Sequence, residues 1–498
     1  MAQTFHDAWS NLSAWLNSIE HLGVYAYLAW MTYLIVLGVW IVLQKREPVA
    51  TLSWILALAV LPYFGFLIYH LLGPQRIVRH RLRRVRSRVR DTERSDASIS
   101  LQGQAETLEL SRVATAATGI GPSHARKVEL LIDGHAKFTR LLADIAQAQH
   151  HVHLEYYIFT PDTSGRALRD ALIACAKRGV RVRLLLDAIG SAKAPRRFFA
   201  ELEAAGGELA WFHPTRFLRF WYRPWMNLRT HRKIVVIDHR IGYTGGINIT
   251  DEENDALRPD AYRDLHVRIE GDVVRALQQV FVEDWVYTTD RRDVMSDLAR
   301  TQPMLAPEPP TGTSVDAAIA AQVLTSGPDS SWETIHRLHV GLIHGAHQRV
   351  WLVTPYFVPG EAAMMALTSA ALGGVDVRLL VPRRSDSLLV TLAARSYFDD
   401  LIAAGVKVYE YGPRMLHTKA LLVDDNAALI GSANFDHRSF RLNFEVTMLF
   451  VDGGVAAALG RLIEGEFANA PRVRVDRPQP FLASRLPEAL ARLLSPLL

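Results

Sequence analysis

The 498-residue chain is 49% hydrophobic, with a mean hydropathy of +0.06 and 21% charged residues; this excludes a disordered chain and leaves apolar surface for several cores. A single cysteine, Cys175, excludes an intramolecular disulfide and any zinc site built on paired thiolates. The net charge of +5 is local: the run QRIVRHRLRRVRSRVR (75–90) carries eight Arg and no acid, and without those eight the chain stands at −3, so the extended basic surface of a duplex binder is not supported and no nucleic-acid partner is expected.

In chain order, residues 22–43 come first, 22 positions without a formal charge. As a helix they would extend roughly 33 Å, enough for a bilayer core of about 30 Å. The loop KREP (45–48) leads into a second uncharged run, 49–69, which contains Pro62 and Gly65; a kink there is tolerated in lipid. Tyr25, Tyr27, Trp54 and Tyr69 lie toward the span ends, as interfacial aromatics do. No Lys or Arg precedes Lys45, so the basic start of a cleaved signal peptide is missing. The alternative is a helical hairpin buried in a soluble domain. By the positive-inside rule the eight Arg after the second span outweigh Lys45 and Arg46, and predict a hairpin with both termini in the cytoplasm. The same run suits contact with anionic lipids.

Residues 1–74 are thus read as the membrane hairpin and 75–127 as a basic segment and a Ser/Thr/Ala/Gly-rich linker. A second linker, 296–318, contains PMLAPEPPTGT. The stretches 128–295 and 319–498 alternate apolar strands with amphipathic helices, the α/β pattern.

The two stretches repeat each other. GVRVRLLLD (179–187) matches GVDVRLLVP (374–382), and FAELEAAG (199–206) matches FDDLIAAG (398–405). HRKIVVID (231–238) and HTKALLVD (417–424) share H-x-K-x(4)-D, and GGIN (245–248) and GSAN (431–434) each begin seven residues after the motif Asp. Four matched blocks in one order indicate two homologous halves in tandem. Gly206 and His231 are 25 residues apart, against 12 for Gly405 and His417. The extra residues fall in WFHPTRFLRFWYRPWMNLRT (211–230), where Arg216, Arg219 and Arg223 interleave with Phe217, Phe220, Trp221, Tyr222 and Trp225. That insertion reads as an interfacial element or as a locally packed aromatic loop.

Within each motif the residues between Lys and Asp (IVVI, ALLV) form a strand, so His and Lys two apart emerge on one face. Cleaving a phosphodiester needs a nucleophile, positive charge for the phosphoryl oxygens and a proton for the leaving alkoxide. His231 and His417 meeting across a pseudo-dimer interface supply the first and third, while Lys233, Lys419, Asn248 and Asn434 hold the nonbridging oxygens. Asp264 and Glu445 are the carboxylates expected to orient the imidazoles. Asp238 and Asp424 complete the motifs and are counted with the catalytic set, although their place at strand exits also suits a structural role. With lysines carrying the charge, no metal and no cofactor are expected. His150, His151 and His153 alternate along a strand without convergent partners, which argues against a metal cluster.

The duplicated motif resembles the signature of the phospholipase D superfamily, and more closely that of bacterial cardiolipin synthases. The resemblance extends along nearly the whole chain: the hairpin with KREP, then HVHLEYYIF, YRDLHVRIEG, TPYFVP, HTKALLVDD, RSFRLNFE and EALARLLSPLL. It implies two tandem phospholipase D-like α/β domains forming a pseudo-dimer behind an all-α transmembrane hairpin. It also implies a bacterial inner-membrane enzyme with its catalytic domains on the cytoplasmic side. The superfamily chemistry implies a phosphohistidine intermediate, with His231 taken as nucleophile and His417 as general acid, then base; the reverse assignment stays open. Phosphatidylglycerol is expected as donor and acceptor, giving cardiolipin and glycerol. Hydrolysis to phosphatidic acid is the alternative, and a nuclease or a lipid-binding scaffold stand further off. The C-terminal run FLASRLPEALARLLSPLL (481–498) either docks on the membrane or closes the second domain.

Overall fold

The computed structural model describes residues 22–43, 48–60, 105–214, 228–295, 318–330 and 332–495. The chain divides into two units, Met1–Gln75 and Arg76–Leu498. In the first, α1 (Leu22–Val42) and α2 (Pro48–Val60) pack together, with Ile41 and Leu58 buried against Leu34, Leu37, Trp54 and Ile55. Pro48 starts α2, where its fixed φ suits the first helical turn. Residues 23–42 are long and apolar enough to cross a membrane, and Tyr25 and Tyr27 stand exposed near the start of the helix. Residues 61–69 of the second span, the arginine run 75–90 and most of the aromatic insertion lie outside the described residues.

The second unit opens with α3 (Ala105–Thr118) and β1 (Ser123–Ala125). The first half follows as β2 (Lys127–Ile132), α4 (Asp133–Ala146), β3 (His151–Tyr156), α5 (Thr163–Lys177), β4 (Arg181–Asp187), α6 (Ala200–Ala204), β5 (Glu208–Phe212), β6 (Ile234–Ile237), β7 (Ile241–Gly245), β8 (Leu265–Glu270) and α7 (Val273–Thr289). The second half comprises β9 (Ile319–Ser326), α8 (Thr334–His344), β10 (Arg349–Val353), β11 (Phe357–Val358), α9 (Glu361–Leu372), β12 (Asp376–Pro382), α10 (Leu388–Arg395), α11 (Phe398–Ala403), β13 (Lys407–Tyr411), β14 (Ala420–Val423), β15 (Ala427–Gly431), β16 (Phe435–Asp436), α12 (His437–Arg441), β17 (Glu445–Val451), α13 (Gly453–Phe467) and α14 (Leu486–Leu493).

The duplication is visible in the topology. The first sheet runs β2-β8-β7-β6-β3-β4-β5 and the second β9-β17-β15-β14-β10-β12-β13, the same order strand for strand. In each, the last three strands are parallel and the remaining neighbours antiparallel. One buried cluster is shared by the halves, joining Val273, Leu277, Phe281 and Trp285 of α7 to Val446, Met448 and Phe450 of β17 and Leu459 of α13. Each half has its own outer cluster as well. The motif strands β6 and β14 are buried along their whole length, which is why they read as continuous apolar runs.

The segment read as a linker differs from expectation in one respect. Its residues 105–125 are ordered and belong to the second half: β1 pairs antiparallel with β9 as an eighth strand, and Ala114 is buried with Leu342 and Leu324. Polar contacts hold it too, Ser111 Oγ donating to Gln322 at 2.8 Å and Gln322 Nε2 donating to the Ile120 carbonyl at 2.8 Å. The Ala and Thr content that looked linker-like is the small-residue face of a packed helix.

Candidate active site

Two short cross-connections bring the halves together at the motif histidines. His231 N donates to Phe444 O at 2.9 Å and Phe444 N to Arg229 O at 2.9 Å. In the other half His417 N donates to Arg263 O at 2.7 Å and Arg263 N to Met415 O at 2.8 Å. Each places one half's histidine beside the residue that opens the other half's long antiparallel strand. Salt bridges reinforce the second crossing: Arg263 reaches Asp133 at 2.8 Å and also pairs with Glu466.

The result is a pair of swapped dyads. His231 Nδ1 lies 2.9 Å from Glu445 Oε1 and 3.1 Å from Oε2. His417 Nδ1 lies 2.6 Å from Asp264 Oδ2. A carboxylate there accepts Nδ1–H and leaves Nε2 free of the proton. The sequence names all four residues, but it does not reveal that each carboxylate serves the other half's histidine.

A one-residue difference between the repeats fits each carboxylate to its place. Gly246 and Ser432 are equivalent, and a Cβ on Gly246 would stand 2.2 Å from Asp264 Oδ1. The short Asp264 side chain therefore needs glycine opposite it, whereas Ser432 donates its hydroxyl to Glu445. Asn443 Nδ2 adds a contact to Glu445 at 3.3 Å.

Lys233 and Lys419 are fully buried between these dyads. Lys233 Nζ donates to His231 O at 2.7 Å, and Lys419 Nζ donates to His417 O and stands 3.8 Å from Asp264. Burial lowers Lys233 to about 7, partly countered by Glu445, and lowers Lys419 too. Burial lowers His231 against the pull of Glu445, and burial with the Lys419 charge holds His417 well below its ordinary range. Burial raises Asp264 to about 6 against Lys419; burial also pushes Glu445 up, but His231, Lys233 and the Ser432 hydroxyl together keep its carboxyl low. Near neutral pH both dyads thus pair a neutral imidazole with a carboxylate.

Asn248 and Asn434 follow the turns after β7 and β15. Asn248 Nδ2 donates to Glu253 Oε1 at 2.7 Å, leaving its second proton for a phosphoryl oxygen, and Asn248 N donates to Glu253 Oε2 at 2.7 Å. Asn434 N donates instead to Ser439 Oγ at 3.2 Å, and Asn434 Oδ1 is buried without a partner. Glu253 and Ser439 each lie five residues beyond their asparagine. The sequence reading missed Glu253, though aligning the two repeats exposes it as a carboxylate where the other half has a hydroxyl. Its charge raises His417 and opposes the lowering of Lys233 and Lys419. Also missed are Lys137, buried and donating to Asn248 O at 3.2 Å, and the rings of Tyr157 and Tyr262, 5.1 Å from His231 and 5.6 Å from His417.

Ligand atoms of Glu253, Asp264 and His417 lie within 4.8 Å of one another, a grouping that could hold a cation. Lys419 and His417 already engage Asp264, and two buried lysines supply positive charge at the same place.

Asp238 and Asp424 cap the starts of neighbouring strands. Asp238 accepts from the backbone N–H of Gln149, His150 and His151, each at 2.8 Å. Asp424 accepts from those of His347, Gln348 and Arg349 at 2.7–3.2 Å. Each stands beyond a four-residue strand from its lysine, roughly 16 Å along the chain, and clasps the start of β3 or β10. That geometry favours the structural reading of both residues. The histidines of β3 are also better partnered than expected: His151 and His153 converge on Gln278 at 3.0 and 3.2 Å.

The comparisons with known proteins agree with this geometry. A family model described as "Cardiolipin synthase, PLD-like domain" matches residues 141–285 and 340–466, and one described as "Phospholipase_D-nuclease N-terminal" matches 34–74. Cardiolipin synthase 2 of Bacillus anthracis is 37% identical over 93% of this chain and 89% of its own. Cardiolipin synthase of Geobacillus thermodenitrificans (strain NG80-2) is 37% identical over 99% of this chain and 96% of its own. Among solved structures, phosphatidylserine synthase of Haemophilus influenzae Rd KW20 shares the fold, with a TM-score of 0.58 at 15% identity over 78% of this chain and 100% of that one. With the duplicated domain, the N-terminal apolar helix and relatives aligned end to end, the chain belongs to the cardiolipin synthase family of membrane-associated enzymes with phospholipase D-like domains.

Proposed function

We propose that the chain condenses two phosphatidylglycerol molecules into cardiolipin and glycerol through a phosphohistidine intermediate. The observation that carries this reading is the pair of swapped dyads, His231–Glu445 and His417–Asp264, flanking two buried lysines.

In the first step Nε2 of His231 attacks phosphorus, a P–N bond forms and the P–O bond to the terminal glycerol breaks. Beside the negative diester and Glu253, His417 takes up a proton at Nε2 and, as imidazolium, gives it to the departing alkoxide. Lys233 and Lys419, with Asn248 and Asn434, hold the nonbridging oxygens as charge moves onto them. In the second step His417, now neutral, takes the proton from the terminal hydroxyl of a second phosphatidylglycerol. Its oxygen attacks phosphorus, the P–N bond breaks and cardiolipin leaves. One phosphodiester replaces another, so no external energy source is needed.

The division of labour between the histidines follows their surroundings. Glu445 stays ionised behind His231, which suits a nucleophile. Glu253 adds a negative charge on the His417 side, which favours the imidazolium a general acid must carry. Both rings are 7–8% exposed, which limits water at the intermediate. The arginine run after the hairpin supports a multi-pass anchor with the catalytic halves on the cytoplasmic side.

The test is turnover of labelled phosphatidylglycerol by the purified protein in vesicles. Cardiolipin with equimolar glycerol supports transfer, whereas phosphatidic acid with glycerol means that water captures the intermediate and the reading is wrong.

A further inference from the structure

The C-terminal helix turns a row of leucines to the solvent while burying Glu488 and Ala491. In α14 Glu488 is buried and accepts from Arg477 at 3.2 Å and from Ser484 Oγ at 3.0 Å. Arg492 donates to Ser396 O and Asp400 at 3.2 Å, with its guanidinium 4.6 Å above the Tyr397 ring. Ser495 Oγ is 3.0 Å from Tyr397 Oη. Turned outward are Phe481 (63% exposed), Leu482 (75%), Leu486 (37%), Leu490 (54%) and Leu493 (76%). A helix closing a domain in water would put those leucines inside and its ions outside.

On α10, against which α14 packs, Leu388 (74% exposed) and Leu389 are exposed as well. That helix starts at the lip of the active site. Two residues before Leu388, Asp386 accepts the Tyr356 hydroxyl at 2.8 Å, and its charge acts on Lys419 and on Tyr262, the ring beside His417. Positive charge is in excess: Arg383, Arg384 and Arg485 are exposed near the patch against Asp386, while Asp399 and Asp400 pair with Arg477 and Arg492, and Glu488, the only acid in residues 478–498, is buried.

We infer that the outward face of α14 and the start of α10 form a docking surface for an anionic bilayer, seating the active-site mouth at the lipid surface. An apolar strip bordered by arginines matches the boundary between acyl chains and anionic headgroups. A self-complementary interface between copies would bring those arginines against each other. The position at the mouth also gives the patch a task, since a diacyl substrate must keep its tails out of water while its phosphate reaches the lysines. The kinetic arm of this inference rests on the cardiolipin-forming reading; the contact itself does not.

The test uses the full chain in vesicles of phosphatidylglycerol and phosphatidylethanolamine. Leu486→Cys and Leu490→Cys carry an environment-sensitive fluorophore, while buried Cys175 stays unlabelled. Quenching by nitroxide on lipid chains, with protection from aqueous iodide, is expected at both positions and not at a label on Lys177→Cys. Quenching by iodide alone would leave the face in water and overturn the proposal. Protection from both quenchers would mean that protein covers it, and overturns the proposal equally. In detergent–lipid mixed micelles, Leu486→Gln/Leu490→Gln should raise KM in lipid mole fraction several-fold, with kcat at saturating lipid retained. Equal KM values would remove the functional part of the claim. Quenching needs no turnover, so failure of the synthase reading would not be mistaken for failure of docking.

Discussion

Glu445 belongs to the second half of the chain, yet it binds His231 of the first, with Nδ1 2.9 Å from Oε1. Asp264 repays the arrangement from the first half, 2.6 Å from His417. Neither half contains a complete dyad, so the active site exists only in the docked pseudo-dimer. Duplication by itself would have allowed two independent sites; the crossings at Phe444 and Arg263 rule that out for this chain.

Glu445→Gln should therefore lower kcat by roughly 10²- to 10⁴-fold, because an amide neither fixes the Nδ1–H tautomer nor stabilises positive charge on the ring. The substitution is isosteric, so the melting temperature should hold. A burst assay with phosphatidyl p-nitrophenol, whose leaving group needs little acid help, separates the histidines. His417→Asn should still release a burst of nitrophenol and His231→Asn should not. The opposite pattern would exchange nucleophile and acid.

Glu253→Gln keeps a hydrogen-bond acceptor for Asn248 and removes the charge that faces His417, Lys137, Lys233 and Lys419. We expect kcat for phosphatidylglycerol to fall about tenfold, which corresponds to about 1.4 kcal/mol. The nitrophenyl substrate should feel much less of it, since little protonation of that leaving group is required. An equal loss for both substrates would mean that Glu253 acts by holding Asn248 rather than through His417.

Much of this was legible beforehand because the repeats fix so many positions at once. The H-x-K spacing, buried strands IVVI and ALLV and the G-[GS]-x-N turns pick out three site residues per half. Helix α3 was not legible: its sequence AETLELSRVATAAT has a weak apolar stripe, and its burial depends on β9 and α8, far away in the chain. Nor was the swap, since spacing along one half says nothing about which histidine a carboxylate faces. Asp238 and Asp424 show the converse. Their fixed motif position comes from three backbone amides that a carboxylate can satisfy together, a requirement of the turn and not of the reaction.

The pH dependence follows from the same buried groups. Asp264 at about 6 loses its negative charge as pH falls through that value, so His417 loses its orienting acceptor and kcat/KM declines on the acid side. Lys233 and Lys137, both at about 7, lose positive charge as pH rises, so kcat/KM declines on the alkaline side as well. The macroscopic values belong to the cluster, not to single residues. Bound diester adds a negative charge beside the lysines, so the alkaline limb of kcat should lie above that of kcat/KM. Coincident limbs would mean that the titrating ammonium groups do not face the phosphate.

Asp238→Ala and Asp424→Ala should act on stability. Each strands three backbone N–H groups at the start of a central strand, and a cost of about 2–5 kcal/mol is expected. Asp→Asn should cost less, because the amide oxygen still accepts and asparagine tolerates the positive φ of 51° and 49° found there. Calorimetry of the detergent-solubilised protein should show the order wild type, Asn, Ala in melting temperature. Activity per folded molecule should remain near wild type well below the melt. A large kcat loss in the folded Asn variants would return these residues to the catalytic set.

Gly246→Ala tests how closely the site is fitted. The new methyl would stand 2.2 Å from one Asp264 oxygen and 2.4 Å from the other. Asp264 is tied at its own backbone, its N–H donating to Asp133 at 3.1 Å, and Gly246 N is held by Leu265 O at 2.9 Å, so neither side can withdraw far. The carboxylate must rotate away from His417, and a shift near 1 Å at such a contact costs about 10²-fold in rate. At the equivalent position Ser432→Ala removes one hydroxyl from Glu445 but leaves its two contacts with His231, so a loss of about tenfold or less is expected. Steady-state rates of the two variants in the same vesicles make the comparison. Full activity in Gly246→Ala would show that Asp264 does not need to touch His417, and the swapped-dyad account would then fail on that side.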